Sequence, residues 1–228
     1  MKIRPLVCLL FLAQPVLADT IAVIGTGNVG AALGPEFAEQ GHTIIYGSRD
    51  PSSDNVRALV ARTGDGTTAT TPANAVPNAG IVVLAVPGML VAEITKGLGD
   101  LSGKIIIDPT NPLERTDSGL THGVATSNAE IIQEVAPGAY VVKAFNSLNW
   151  RTMVDPDSSG GPVSIPLAGN SDYAKATVAE LVEGMGLEAI DVGPVENARW
   201  VEGMLMLWIG NRYGSDRQNF DFHLRKTD

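Results

Sequence analysis

Several things are scarce in this chain, and each scarcity narrows the reading. One cysteine, Cys8, in 228 residues leaves no disulfide framework and no cysteine-ligated zinc site to be built within the chain. The three histidines, His42, His122 and His223, are too scattered to form a metal motif, so no metal site is expected. Basic residues number 16 against 25 acidic ones, for a formal net charge of −9. Proteins that neutralise phosphate backbones carry the opposite balance, which argues against a nucleic-acid role. Charged residues make up only 18% and hydrophobic ones 44%, too apolar a composition for a disordered chain. No apolar run reaches the roughly 20 residues of a permanent membrane span. The length fits one domain or one and a half.

Met1 to Ala18 reads as an export signal. Lys2 and Arg4 supply a positive end, Leu6 to Ala13 an apolar run of eight, and Pro15-Val16-Leu17-Ala18 a break ending in a small residue. Val16 and Ala18 occupy the two positions a signal peptidase reads, so cleavage after Ala18 and a periplasmic or secreted location are expected. A cytoplasmic location is the alternative if the true start lies near Asp19. Without Cys8 the mature chain would suit an oxidising compartment.

Beyond the leader, short apolar runs alternate with helical spacing, the pattern of an α/β fold. Strands are expected at Thr20 to Ile24, His42 to Tyr46, Ile81 to Val86, Ile105 to Ile107, Tyr140 to Ala144 and Val163 to Ala168. These runs are continuous rather than alternating, so the strands should be buried on both faces and mostly parallel. Val29, Leu33 and Phe37 share one helix face, and Val56, Leu59 and Val60 mark a second helix. Val178, Leu181, Val182 and Met185 mark a later one, and Val201, Leu205 and Trp208 the last. The expected division is a leader at 1–18, a Rossmann-type doubly wound domain at 19–155, a small C-terminal α/β extension at 156–214 and a polar tail at 215–228. Asp155 to Pro162 (DPDSSGGP) reads as a flexible joint.

The chemistry is carried by Gly25-Thr26-Gly27-Asn28-Val29-Gly30, a complete G-x-G-x-x-G that follows a predicted strand and opens a helix. Gly25 would permit the tight turn, Gly27 the approach of a pyrophosphate, and Gly30 the close packing of helix on strand. Free N–H groups and the helix dipole would meet the phosphates there. NAD-specific sites place an acid at the end of the second strand, about 20 residues on. This chain has Gly47-Ser48-Arg49 instead. Arg49 can donate a forked pair of bonds to a 2′-phosphate and Ser48 can add a hydroxyl, which favours NADP. Asp50, just before Pro51, reads as the start of a turn.

With IAVIGTGNVG, YGSRDP, VVLAVP, IIIDPTNP, VVKAFNSLNW, IPLAGN and DVGPVENARWVEGM in order, the chain resembles the NADPH-dependent F420 reductase family over roughly Thr20 to Asn211. It is similar also to the nucleotide domain of the STEAP metalloreductases. The resemblance implies an NADPH-binding oxidoreductase that passes hydride to a deazaflavin or flavin. It places Thr26, Gly27, Asn28 and Val29 along the pyrophosphate, Ser48 and Arg49 at the 2′-phosphate, and Ala85 beside the adenosine or nicotinamide half. It also implies small-molecule partners and a homodimer. Two positions depart from the archaeal F420 reductases: Ser53 stands where they carry a further basic residue, and Asn146 where they place a histidine. The acceptor therefore stays open among F420, FMN and FAD.

Hydride transfer between two organic cofactors depends on alignment more than on acid–base catalysis, and no catalytic triad is visible. Asn146, Ser147 and Trp150 should lie just past the C-terminal end of a strand, where ligands bind in open α/β sheets. Their alternative reading is local capping and core packing. His122, in a Gly- and Thr-rich stretch, reads as a solvated loop residue, or else as a proton donor or cleft-lining residue. Lys143 is unusual in an apolar strand and points either to solvent or into the cleft. Trp200, Met204, Met206 and Trp208 read as core or dimer contact, or else as a wall of the acceptor pocket. Two other functions compete: an exported nucleotide-binding module without turnover, and an imine reductase related to pyrroline-5-carboxylate reductase, whose long helical dimerisation region this chain lacks.

Overall fold

The computed structural model describes residues 19–117, 119–212 and 220–227. The expected leader lies outside them, as does the beginning of the expected tail. The chain runs β1 (Thr20–Ile24), α1 (Asn28–Glu39), β2 (Thr43–Gly47), α2 (Asp54–Thr63), β3 (Thr68–Thr70), α3 (Pro72–Ala75), β4 (Ile81–Leu84) and α4 (Val91–Lys96). It continues through β5 (Ile105–Asp108), β6 (Leu113–Thr116), β7 (Gly119–His122), α5 (Asn128–Val135), β8 (Tyr140–Lys143) and α6 (Trp150–Val154). It then closes with β9 (Ser164–Gly169), α7 (Asp172–Gly184), β10 (Glu188–Asp191) and α8 (Ala198–Arg212).

One eight-stranded sheet has the order β10-β9-β8-β5-β4-β1-β2-β3. Every neighbouring pair is parallel except β8 and β9, which meet antiparallel at Val142–Gly169 and Lys143–Ala168. The order β3-β2-β1-β4-β5-β8 is doubly wound, reversing direction between β1 and β4, the switch point where such sheets bind ligands. The continuous apolar runs are buried on both faces as expected: β1 from Ile21 onward, β4, β5 and β9 have no exposed residue. The stretch expected as an appended extension joins the sheet itself, because β9 pairs with β8 and carries β10 beyond it.

Two apolar layers sandwich the sheet. On one face Ile21, Val23, Leu33, Phe37, Ile107 and Val178 pack together; on the other, Ala22, Leu84, Ile106, Ile132 and Ala198. Each fully buried Ile, Leu or Val contributes about 1.5–3 kcal/mol relative to exposure. α1 tolerates Pro35 in its interior. Proline lacks the N–H that would bond the Ala31 carbonyl, and Arg62 of α2 donates its Nη2–H to that oxygen instead, at 2.9 Å.

Four strands were missed by periodicity. β3 is three residues long, β10 is half polar, and β6 and β7 form a separate antiparallel hairpin. The stretch read as a solvated loop around His122 is therefore a strand, and Leu113, Thr116, Leu120 and Thr121 supply its β-branched and apolar content. The expected joint at 155–162 contains a 3₁₀ turn, Pro156–Ser159, closed by Gly160 at φ 78°. The described end of the tail is tied down: Ser164 N–H donates to the Phe222 carbonyl at 3.2 Å, and Leu224 N–H donates to Ser164 Oγ at 2.8 Å.

Candidate nucleotide and acceptor site

β1 is followed by Gly25, whose φ of 103° is open to glycine and strained for other residues. A Cβ there would lie 2.1 Å from the Ala85 carbonyl oxygen, so Gly25 and Ala85 bring the ends of β1 and β4 into backbone contact at the switch point. Gly30 likewise packs against Gly25, its virtual Cβ 2.0 Å from the Gly25 oxygen. Gly27 differs: nothing lies within 4 Å of its virtual Cβ. It is the N-cap of α1 with no side-chain cap, so the first N–H groups of the helix face open space. That cradle fits a pyrophosphate.

The end of β2 supplies the second half. Ser48 is buried and its N–H donates to Thr70 O at 2.8 Å, extending the β2–β3 ladder. Its Oγ accepts from the Asp50 N–H at 3.2 Å, leaving the hydroxyl proton available. Arg49 is exposed and has no hydrogen-bond or ion-pair partner among the described residues. Asp50 starts a turn, as expected: its Oδ1 accepts from Ser52 N at 3.2 Å and from Ser52 Oγ at 2.8 Å. The residues present fit a dinucleotide with a phosphate on its adenosine ribose.

Across the switch point, the ends of β5 and β8 hold a buried polar network. Lys143 is fully buried, with Nζ 2.6 Å from Asp108 Oδ2 and 2.7 Å from Glu202 Oε1, and it donates to the Thr110 carbonyl at 2.7 Å. It points neither to solvent nor into an open cleft. Asp108 Oδ1 also accepts from Thr110 N at 2.9 Å and Thr110 Oγ1 at 2.6 Å. Glu202 Oε1 accepts the Asn128 N–H at 2.8 Å, and its Oε2 faces His122 Nε2 at 2.9 Å. Burial holds the Glu202 carboxyl above the usual carboxylate range, with Lys143 pulling the other way and Asp108 adding to the rise.

The acceptor-side candidates divide. Asn146 is buried and its Nδ2 donates to Asn111 Oδ1 at 3.0 Å and to the Val201 carbonyl at 3.2 Å, while its own Oδ1 is buried without a partner. Asn111 Nδ2 returns a bond to the Asn146 carbonyl at 3.0 Å. The preceding residue, Phe145, has φ 61°, the only non-glycine positive φ among the described residues. Such strain persists where the surroundings hold it, and here it turns the chain out of β8. Asn146 and His122 are thus brought to consecutive residues of α8, Val201 and Glu202. Ser147 is buried beside Asn146. Trp150 lies apart, opening α6 and packed against the core, with the Arg151 guanidinium 4.5 Å over its ring. Sequence reasoning missed Asp108, Asn111, Phe145 and Glu202, although a lysine in an apolar strand already required buried acids somewhere. Among the described residues no group of His, Cys, Asp and Glu could hold a metal ion, and no helix is long and apolar enough to cross a membrane.

A doubly wound sheet, a phosphate cradle at its switch point and an unpaired arginine past β2 define a class, the NADP-dependent oxidoreductases of Rossmann type. A family model described as NADP oxidoreductase, coenzyme F420-dependent, matches residues 20–112. The F420-dependent NADP reductase of Methanothermobacter thermautotrophicus is 31% identical over 212 residues, covering 85% of this chain and 89% of that one. The chain belongs to the F420-dependent NADP reductase family. Metalloreductase STEAP3 of Rattus norvegicus is 29% identical over 192 residues, which cover 83% of this chain but only 37% of STEAP3. Among solved structures, a candidate F420-dependent NADP reductase from Arthrobacter sp. FB24 superposes with a TM-score of 0.83 at 32% identity, covering 92% of this chain and all of that one.

Proposed function

We propose that the protein transfers hydride between NADP(H) and a flavin or F420-like ring, with F420, FMN and FAD as the acceptors to try. The observation that carries the reading is the open space at Gly27 over the uncapped start of α1, with the unpartnered Arg49 beyond β2. NADPH, when bound, supplies the hydride. The chain's own residues bind and orient it: the N–H groups at the start of α1 take the pyrophosphate, Ser48 and Arg49 the 2′-phosphate, and Gly25 with Ala85 keeps the floor beneath it flat. Asn111 and Asn146 fix the strand-end loops against which the nicotinamide half and the acceptor would lie. Exposed Trp200 (71%) and Leu207 (66%) on α8 support a homodimer, which light scattering would test.

A fluorescence titration with NADPH and, in parallel, NADH is the first test, followed by turnover with each ring acceptor. Tighter NADPH binding by about tenfold, roughly 1.4 kcal/mol, together with turnover, supports the reading.

The Met1 to Ala18 leader favours a second reading, in which the chain is exported to the periplasm or beyond and binds nucleotide without turnover. Nucleotide binding with no turnover on any ring acceptor, and with the leader removed in the mature protein, would favour that one.

A further inference from the structure

Among its described residues the β6–β7 hairpin has none fully buried except Pro112 at its entry, and a two-stranded hairpin is marginal in water by itself. It follows directly from the end of β5, and the Gly123 N–H closes its base on the Pro112 carbonyl at 2.6 Å. At its end His122 reaches α8. The side chain of Glu202 is fully out of solvent and that of His122 is 23% exposed, so the pair meets water only through the imidazole.

Both ring nitrogens of His122 face acceptors. Nδ1 is 2.9 Å from the Val124 carbonyl. Nε2 is 2.9 Å from Glu202 Oε2. The other carboxylate oxygen already accepts from Lys143 of β8 and from the Asn128 N–H at the start of α5. The contact at Oε2 is a bond only while a proton sits between Oε2 and Nε2, on one atom or the other. With that proton, Lys143 and the shared charge balance Asp108 of β5 and Glu202. Without it, a carboxylate faces a bare nitrogen lone pair inside the protein, next to Asp108.

We infer that His122 is a positioning residue for the acceptor side of the site: through one proton shared with Glu202 it pins the β6–β7 hairpin to α8 over the ends of β5 and β8. The inference rests on the hydride-transfer reading for its effect on turnover, and on geometry alone for the latch. Removal of the shared proton opens the latch. The hairpin then loosens at the ligand edge, where its base adjoins Asn111, while the NADPH cradle at Gly27 is untouched.

The test pairs His122→Asn, which removes the shared proton, with His122→Phe. Hydrogen exchange of residues 113–122 is measured in the ligand-free full chain at neutral pH, and steady-state kinetics are run on the same proteins. In both variants protection of the hairpin should be at least tenfold lower than in the wild type. KM for the ring acceptor should rise about tenfold, with NADPH affinity within twofold. Equal protection in wild type and variants overturns the latch, whatever the kinetics show. Equal acceptor KM in variants and in a wild type that turns over overturns the positioning role. A wild type that binds NADPH yet turns over no acceptor overturns the hydride-transfer reading, and with it the positioning role, leaving the exchange result to decide the latch.

Discussion

Lys143 Nζ lies 2.7 Å from Glu202 Oε1 with neither side chain reaching solvent. This single contact joins β8, the last strand of the doubly wound half, to α8. A buried ammonium is costly unless paired. Here it has Asp108 on one side, Glu202 on the other and the Thr110 carbonyl as its third partner, one for each hydrogen it can donate.

Replacing Lys143 by methionine would keep the length of the stem and leave two buried carboxylates, Asp108 and Glu202, with only the proton at His122 between them. The expected loss is about 3–5 kcal/mol of stability, read as a fall in the urea midpoint. Adding Glu202→Gln and Asp108→Asn to Lys143→Met should recover part of that loss, because the unpaired charges go with them. A triple variant no more stable than Lys143→Met would show that these carboxylates are not what the lysine offsets.

Gly25→Ala and Gly27→Ala separate folding from binding. At Gly25 the backbone has φ 103° and a Cβ would strike Ala85 O, so the substitution should cost at least the roughly 1–3 kcal/mol of a strained backbone residue. At Gly27 the Cβ meets nothing, so thermal stability should change little. The methyl would nevertheless occupy the approach to the α1 N–H groups, and NADPH affinity should fall by tenfold or more. A Gly27→Ala protein that binds NADPH as well as the wild type would move the pyrophosphate elsewhere.

The glycine loop, the six long strands and the four main helices were legible because their signals are local: runs of Ile and Val, glycines at fixed spacing, apolar residues at helical intervals. Asp50 as a turn residue was legible for the same reason. What was not legible depends on contacts far apart in sequence. His122 looked like a loop residue until Glu202, 80 positions later, came to meet it. Lys143 looked anomalous because its partners, Asp108 and Glu202, lie on other elements. Phe145 gave no sign of its positive φ, since that conformation is imposed by packing against Phe37 and by the Asn146 bonds rather than by its own preference. β10 was hidden because an edge strand needs no continuous apolar run.

Lys175 joins α7 to β10, 2.7 Å from Asp191 and 3.3 Å from Asp172. Its bond to Asp191 raises the lysine above its ordinary value of 10.5, although burial works against it. Burial pushes Asp191 upward, but the Lys175 ammonium and the Gly193 N–H outweigh that and leave it below its ordinary 3.8. The stabilisation is therefore present between those two ordinary values. It is lost as pH falls below 3.8, where Asp191 takes up a proton, and as pH climbs above 10.5, where Lys175 gives one up. With Asp191 half exposed, Lys175→Met should cost up to about 1 kcal/mol at neutral pH and less at pH 3. A deficit that does not shrink in acid would mean the lysine acts through packing alone.

On the proposed reading, Arg49 carries the preference for a 2′-phosphate. It is exposed and uncommitted, and Ser48 beside it holds a free hydroxyl proton. A charged hydrogen bond to phosphate is worth about 1.5–3 kcal/mol, so Arg49→Ala should weaken NADPH by roughly ten- to a hundredfold and leave NADH within twofold. Fluorescence titration of both nucleotides checks it. Equal losses for the two would assign the phosphate to another group, with Arg57 on α2 the nearest alternative in sequence.

Pro35 and Arg62 make a pair whose coupling can be measured. The Ala31 carbonyl loses its helical donor to Pro35 and gains the Arg62 guanidinium at 2.9 Å. Arg62→Met should therefore cost about 1 kcal/mol in the wild type, since it strands that carbonyl and unties α2 from α1. In a Pro35→Ala background the residue-35 N–H can bond Ala31 itself, so the same substitution should cost less. The difference, a coupling of about 0.5–1 kcal/mol, is read from four urea midpoints. Additivity across the cycle would mean the arginine contributes nothing beyond its own stem, and that water serves the Ala31 carbonyl equally well.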